Sequence, residues 1–141
     1  MNYISLKSQE GNILIELSLV TPILLLMLAG IVQFGFILNA KVAVNAASYE
    51  AARVATLADD PVREALDSVK DYASSTLPGW DFSRRLKARV VVSGNNPGDL
   101  VSVEVIYMVP VFFSRILPVG REWDGYIHVS GSSVMSIEEK E

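Results

Sequence analysis

The sequence predicts an α+β protein: a long N-terminal transmembrane helix that continues into a small soluble domain with a second helix and an antiparallel sheet of about three strands. Three observations predict this fold class. Residues Leu17 to Ala40 form a run of 24 without a charged residue, and an alanine-rich segment follows it. Three stretches with strand-like patterns then lie in the C-terminal half. The roughly 85 residues after the first helix are enough for one small domain.

The uncharged run is long enough to cross a bilayer. At about 1.5 Å per residue a helix of this length spans roughly 36 Å, against about 30 Å for the hydrocarbon core. A helix also satisfies its own backbone polar groups within lipid. Pro22 lies in the first third of the run and removes one backbone hydrogen bond, which predicts a kink; the alternative is a proline tolerated without one.

The helix is expected to extend beyond the bilayer. Ala43, Ala47, Ala51 and Ala55 recur every four residues and therefore share one face. Neither proline nor glycine interrupts the segment from Phe36 to Ala58, and alanine favours helix. We predict one helix from about Asn12 to Ala58. Its alanine stripe packs either on its own domain or on neighbouring subunits.

A second helix follows Asp59. Asp60 can cap its N-terminus, with Pro61 at the first helical position. Its apolar face is predicted from the helical spacing of Val62, Leu66, Val69 and Ala73. The pair Pro78-Gly79 is expected to end this helix.

The C-terminal half reads as three strands. Leu86 to Ser93 and Leu100 to Met108 flank a turn over residues 94–99 and form an antiparallel hairpin. Trp123 to Ile137 is the third strand, with Gly131 as a bulge and four residues facing inward: Ile127, Val129, Met135 and Ile137. The apolar connection 109–118 is either a short helix that covers the sheet or an exposed patch for a partner or the membrane surface.

Composition narrows the function. The chain has 141 residues, a net charge of −4 and no cysteine, which excludes disulfides and thiolate metal sites and disfavours nucleic acid as a partner. His128 is the only histidine, and no phosphate loop or zinc spacing is present. We therefore expect no enzyme, no cofactor, no metal and no small-molecule substrate. Four basic residues (Arg84, Arg85, Lys87 and Arg89) form either a solvated face or a contact with anionic headgroups or an acidic subunit.

Glu16 is unusual because a carboxylate stands at the edge of an apolar run. One interpretation places it at headgroup level, in a first helical turn whose dipole favours negative charge. The other gives it a partner. If the chain were cut after Gly11, the new ammonium group of Asn12 would lie about one helical turn from Glu16, in the same or a neighbouring subunit, and pairing lowers the free-energy cost of burying the carboxylate.

Gly11, followed by the residues from Asn12 to Glu16 and an apolar helix, resembles the processing site of type IV prepilins. The whole layout resembles the TadE-like proteins of the tight-adherence (Tad/Flp) pilus system. This resemblance rests on Gly11 with Glu16 to Pro22, on Asn45 to Ala55, and on two C-terminal stretches, Val101 to Val105 and Ser130 to Met135.

The resemblance implies a minor pilin or pseudopilin that takes part in pilus assembly. It implies cleavage by a prepilin peptidase between Gly11 and Asn12, and a role for Glu16 in subunit registry. The implied partners are the membrane, the peptidase and other pilins of the same system. The implied layout is a leader over residues 1–11, a membrane helix with its extension over 12–58, and a periplasmic domain over 59–141.

Localisation also follows from the resemblance: the bacterial inner membrane, single-pass, with the N-terminus cytoplasmic. Counting positive charges does not decide the orientation, because Lys7 stands on one side and Lys41 and Arg53 on the other. The mature chain either stays in the membrane or enters the pilus.

Two other interpretations stay open. The protein could be a signal-anchored periplasmic binding or scaffold subunit of an envelope complex, with the helix as a plain anchor. An ordinary signal peptidase could instead cut after Ala46, where small residues loosely fit its rule. An anchored enzyme is disfavoured because the polar groups of a catalytic site are missing.

Overall fold

The computed structural model describes residues 5–77, 82–94, 96–112 and 124–138. Their element order is α1 (Ser5–Leu57), α2 (Pro61–Thr76), α3 (Phe82–Arg85), β1 (Leu86–Val92), β2 (Leu100–Pro110) and β3 (Tyr126–Ser136). The predicted α+β class, with a long N-terminal helix, a second helix and a three-stranded antiparallel sheet, is confirmed.

Helix α1 begins earlier than predicted and ends where the sequence suggested. Lys7, Gln9 and Glu10 favour helix, so the segment ahead of Gly11 joins it. The chain divides into two compact units, Met1–Gly35 and Phe36–Glu141. The first unit is the apolar part of α1, and the second contains the rest of α1 with every other element.

Helix α2 is capped as the sequence predicted. Asp60 is the N-cap, and its carboxylate accepts a hydrogen bond from the backbone N–H of Arg63 at 3.2 Å. The helix ends at Thr76, and the Leu77 N–H donates to the Ala73 carbonyl at 3.0 Å. Pro78-Gly79, the predicted terminator, lies outside the described residues.

The predicted apolar face of α2 was wrong at its N-terminal half. The buried residues are Pro61, Ala65, Val69 and Ala73, whereas Val62 is 42% exposed. The buried set keeps a spacing of four residues throughout and consists mostly of small side chains. A face of small residues lets a helix approach its neighbours closely, so proximity rather than side-chain volume decides which side of α2 is buried.

The sheet is an antiparallel meander with strand order β1-β2-β3. The predicted hairpin is confirmed, with Leu86 opposite Tyr107 at one end and Val92 opposite Val101 at the other. Gly98 takes a positive φ of 92° in the connecting turn, which favours glycine. Strand β2 is longer than predicted and includes Val109 and Pro110 of the apolar connection. Residues 113–118 of that connection, and Trp123, lie outside the described residues.

Strand β3 contains no bulge. Its register with β2 runs without a break from Leu100 opposite Ser136 to Pro110 opposite Tyr126, so the bulge predicted at Gly131 was wrong. The predicted inward face is confirmed: Val129 and Ile137 are buried, and Ile127 and Met135 pack against the core.

The core lies between the C-terminal half of α1, helix α2 and the inner face of the sheet. Apart from Leu77 and Tyr107, its buried members are small or β-branched, and Tyr107 is the largest fully buried side chain. Alternate residues of β2, namely Val101, Val103, Val105, Tyr107 and Val109, form the centre of it.

Candidate membrane helix and processing site

The first part of α1 presents large apolar side chains on all its sides. These exposed residues are Ile13, Leu14, Ile15, Leu17, Leu19, Val20, Ile23, Leu24, Leu25, Leu26, Met27, Leu28, Ile31, Val32 and Phe34. A water-exposed surface of this size is not stable in a monomeric soluble protein. An 18-residue window within Gly11–Leu57 has a mean hydropathy of 2.3, which makes this helix a candidate membrane span by length and composition.

Small polar side chains within this part of α1 hydrogen-bond to the helix itself. The Ser18 hydroxyl donates to the Ile15 carbonyl at 2.8 Å, and the Thr21 hydroxyl donates to the Leu17 carbonyl at 2.7 Å. Such bonds satisfy the hydroxyl proton without water. Both residues are therefore compatible with lipid around the helix.

Pro22 lies one residue beyond Thr21, inside α1. Proline has no backbone N–H, so the Ser18 carbonyl, four residues earlier, loses its usual helical donor. Helix is assigned on both sides of Pro22. The kink expected from its ring stays a prediction.

The three residues of the predicted processing and registry site lie on the exposed surface of α1. Gly11 has no atom within 4 Å of the place where a Cβ would stand, so no side chain crowds it. Asn12 and Glu16 are both exposed. They are four residues apart and therefore share one helix face. The pairing of Glu16 with an ammonium group at Asn12 stays a prediction.

The second part of α1 has the opposite character. Ala43, Ala47, Ala51 and Ala55 are at most 2% exposed, so the alanine stripe packs within its own domain. Lys41 reaches across to β3, where its ammonium group donates to the Ser130 carbonyl.

Helix α1 approaches the sheet closely at Gly131. A Cβ on this residue would lie 2.7 Å from the backbone nitrogen and Oδ1 of Asn45, and 2.7 Å from the carbonyl carbon of Val44. Only glycine fits there without a shift of the helix backbone. The sequence analysis missed this contact. A glycine within an otherwise regular strand was the available signal, since it marks close backbone approach as well as a bulge.

The family model described as TadE-like protein matches residues 11–53. That segment is TadE-like. The match confirms the resemblance over residues 11–53, which lie entirely within α1, and it does not include the two C-terminal stretches. No curated protein and no solved structure matches the chain.

The TadE-like segment covers both parts of α1, from Gly11 through the exposed apolar stretch and across most of the buried alanine stripe. In the described part of the chain, no group of three or more His, Asp or Glu side chains is arranged to hold a metal ion.

Proposed function

We propose that the protein is a minor pilin or pseudopilin that takes part in assembly of a Tad-type pilus. The observation that supports this most is where the TadE-like match begins and ends along α1. The TadE-like segment 11–53 begins at the predicted cleavage position, includes the uncharged run from Leu17 to Ala40, and ends within the part of α1 that packs in the soluble domain. A plain membrane anchor has no need to build its own helix into the domain core.

The proposal includes processing by a prepilin peptidase between Gly11 and Asn12. Glycine is among the least helix-favouring residues, at about 1 kcal/mol relative to alanine. Gly11 therefore weakens the helix next to the cleavage position, and no atom crowds the place of its missing Cβ. The N-terminus is cytoplasmic and the α+β domain periplasmic in this proposal, and the mature chain starts at Asn12.

Glu16 supplies subunit registry in this function. Cleavage creates an ammonium group on the backbone nitrogen of Asn12, about one helical turn from Glu16. In lipid a carboxylate near a helix end is unfavourable unless it is paired, and the ammonium group of the same or a neighbouring pilin satisfies it. The pairing sets the axial position of one subunit against the next as the helix leaves the membrane.

The first test is the mass of the N-terminal peptide of the protein purified from its native membrane. A chain that begins at Asn12 is the expected result. A chain that begins at Met1 would favour a plain membrane-anchored subunit of an envelope complex. A start at Ala47 would indicate ordinary signal-peptidase cleavage and would contradict the proposal, since Ala47 is a buried residue within α1.

The second test separates cleavage from assembly. We expect Glu16→Ala to be processed normally but to lower the number of assembled pili, because the ammonium group loses its partner. Glu138→Ala is the matched control, since Glu138 is also an exposed carboxylate but lies beyond β3. Normal piliation in the Glu16→Ala strain would exclude the registry role and leave the processing claim untouched.

A further inference from the structure

One end of the soluble domain combines aromatic and basic side chains. Phe112, just beyond β2, packs edge-on against Phe36 of α1, with ring centroids 5.4 Å apart. Phe36 belongs to the uncharged run from Leu17 to Ala40. Phe112 is 59% exposed despite its contact with Phe36. A large apolar side chain is thus held against the last part of the membrane-compatible run.

Tyr126, at the start of β3, and Arg85, at the end of α3, lie at the same end of the sheet. The Val111 N–H donates to the Gly125 carbonyl at 3.0 Å, and Tyr126 lies opposite Pro110 in the sheet. The guanidinium of Arg85 stands over the Tyr126 ring, 5.7 Å from its centroid. Arg84 precedes it and is exposed. We name Arg84, Arg85, Phe112 and Tyr126 the basic–aromatic rim.

Charge differs between the two ends of the sheet. Among the described residues of the rim end, Asp124 lies 3.6 Å from His128, and Arg84 and Arg85 add two positive charges. The far end contains the turn before β2 and the residues after β3, where Asp99 and Glu138 carry carboxylates. Within the described part of the chain, the end with the two arginines is therefore the one that contacts Phe36, a residue of the uncharged run.

We propose that the basic–aromatic rim docks on anionic phospholipid at the bilayer surface from which α1 emerges. Aromatic rings are enriched at the level of the headgroups, and arginines near an anionic surface are attracted to it. Contact between Phe112 and Phe36 makes the rim continuous with the apolar run, which favours a lipid surface over an acidic protein. Docking rests on the membrane span alone and needs no pilus.

The depth of Phe112 tests this directly. Because the natural chain has no cysteine, Phe112→Cys can carry a single environment-sensitive fluorophore. The full-length protein is reconstituted in phosphatidylcholine vesicles with and without phosphatidylglycerol, and quenching by nitroxide-labelled lipid is measured. We expect stronger quenching with phosphatidylglycerol, reversed by salt. The control Ser136→Cys, at the far end of β3, should be unquenched in both.

The two arginines are tested with a matched charge change. Since each arginine near an anionic surface contributes about a fivefold preference, Arg84→Gln with Arg85→Gln should weaken docking by about 25-fold. The control removes Arg63 and Lys70, two exposed cations of α2, and should leave quenching unchanged. If loss of the Arg85–Tyr126 contact unfolds the double variant, Arg84→Gln alone should still show the fivefold effect.

Three results would overturn the proposal. Equal quenching in the two lipid mixtures would remove the role of anionic lipid. An equal loss of quenching in the Arg63/Lys70 control would show that the effect depends on net charge and not on the position of the arginines. A fluorophore at position 112 that is unquenched in both mixtures would show that the rim does not contact lipid, and would favour an acidic protein as the partner of the arginines.

Discussion

The two parts of α1 differ in their surroundings: the first part exposes large apolar side chains, and the second part buries small ones. From Leu24 to Leu28 every residue is apolar and 58–64% exposed, whereas Ala51, Ala52 and Ala55 are fully buried. Both parts are helical and mostly apolar, so helix propensity does not separate them. Side-chain volume does, because large residues suit a lipid surround and small residues allow a sheet to approach. Hydrophobicity alone therefore does not distinguish the part of α1 suited to lipid from the part that packs against the sheet.

The largest expected effect tests whether lipid is what covers the first part. Leu25→Arg should disfavour membrane insertion by about 2.5–3.5 kcal/mol, because a cation is placed near the centre of the span. Membrane fractionation of the expressed protein measures it. Leu57→Arg, an equally exposed position in the second part, is the control and should not alter the membrane fraction. Full retention of Leu25→Arg in the membrane would contradict the assignment.

The next effect tests the close approach in the second part. Gly131→Ala should lower the free energy of unfolding by about 1–3 kcal/mol, because its Cβ meets backbone atoms of Asn45 and Val44. Thermal unfolding in detergent, followed by circular dichroism, measures it. Gly30→Ala is the matched control: no atom lies within 4 Å of that position, and alanine favours helix. Equal stability of the two variants would show that α1 does not touch the sheet there.

A comparable loss is expected where α2 closes the core. Val69→Ala should lower the free energy of unfolding by about 2 kcal/mol, since two buried carbon groups and the space around them are lost. Val62→Ala should change it by less than about 0.5 kcal/mol, because Val62 is partly exposed. Chemical denaturation of both variants decides which face of α2 is buried. A larger loss at Val62 would restore the face predicted from the sequence.

The smallest effect concerns the start of α2. Asp60→Ala should lower the free energy of unfolding by about 1 kcal/mol, because the Arg63 N–H loses its acceptor. Asp60→Asn keeps an oxygen at that position and should retain most of the stability. If both substitutions were equally harmful, the carboxylate charge rather than the cap would matter.

The elements predicted well from the sequence depend on local patterns. The uncharged run from Leu17 to Ala40 and the unbroken alanine repeat after it were sufficient for α1, since helix continuation needs only neighbours along the chain. The alternation of Val101, Val103 and Val105 identified β2 for the same reason. Asp60 followed by Pro61 marked the start of α2.

Gly131 and α2 show where such patterns fail. Gly131 was interpreted as a bulge because its sequence neighbours do not reveal that Asn45, far away in the chain, lies against it. The face of α2 was misplaced because Val62 and Leu66 are larger than Pro61 and Ala65, and size was taken as a sign of burial. In both cases the space available, and not hydrophobicity, decided the outcome.

The sequence by itself determined that the chain has a helix able to span a bilayer, an alanine-rich continuation of it, and a hairpin. It also provided the TadE-like resemblance that starts at Gly11. These features are properties of contiguous residues. Only the tertiary structure decided which face of α2 is buried and that α1 packs closely against Gly131. It also decided that Arg85, Phe112 and Tyr126 lie at one end of the sheet. These depend on contacts between residues far apart in the chain, for which a single sequence contains no periodic signal.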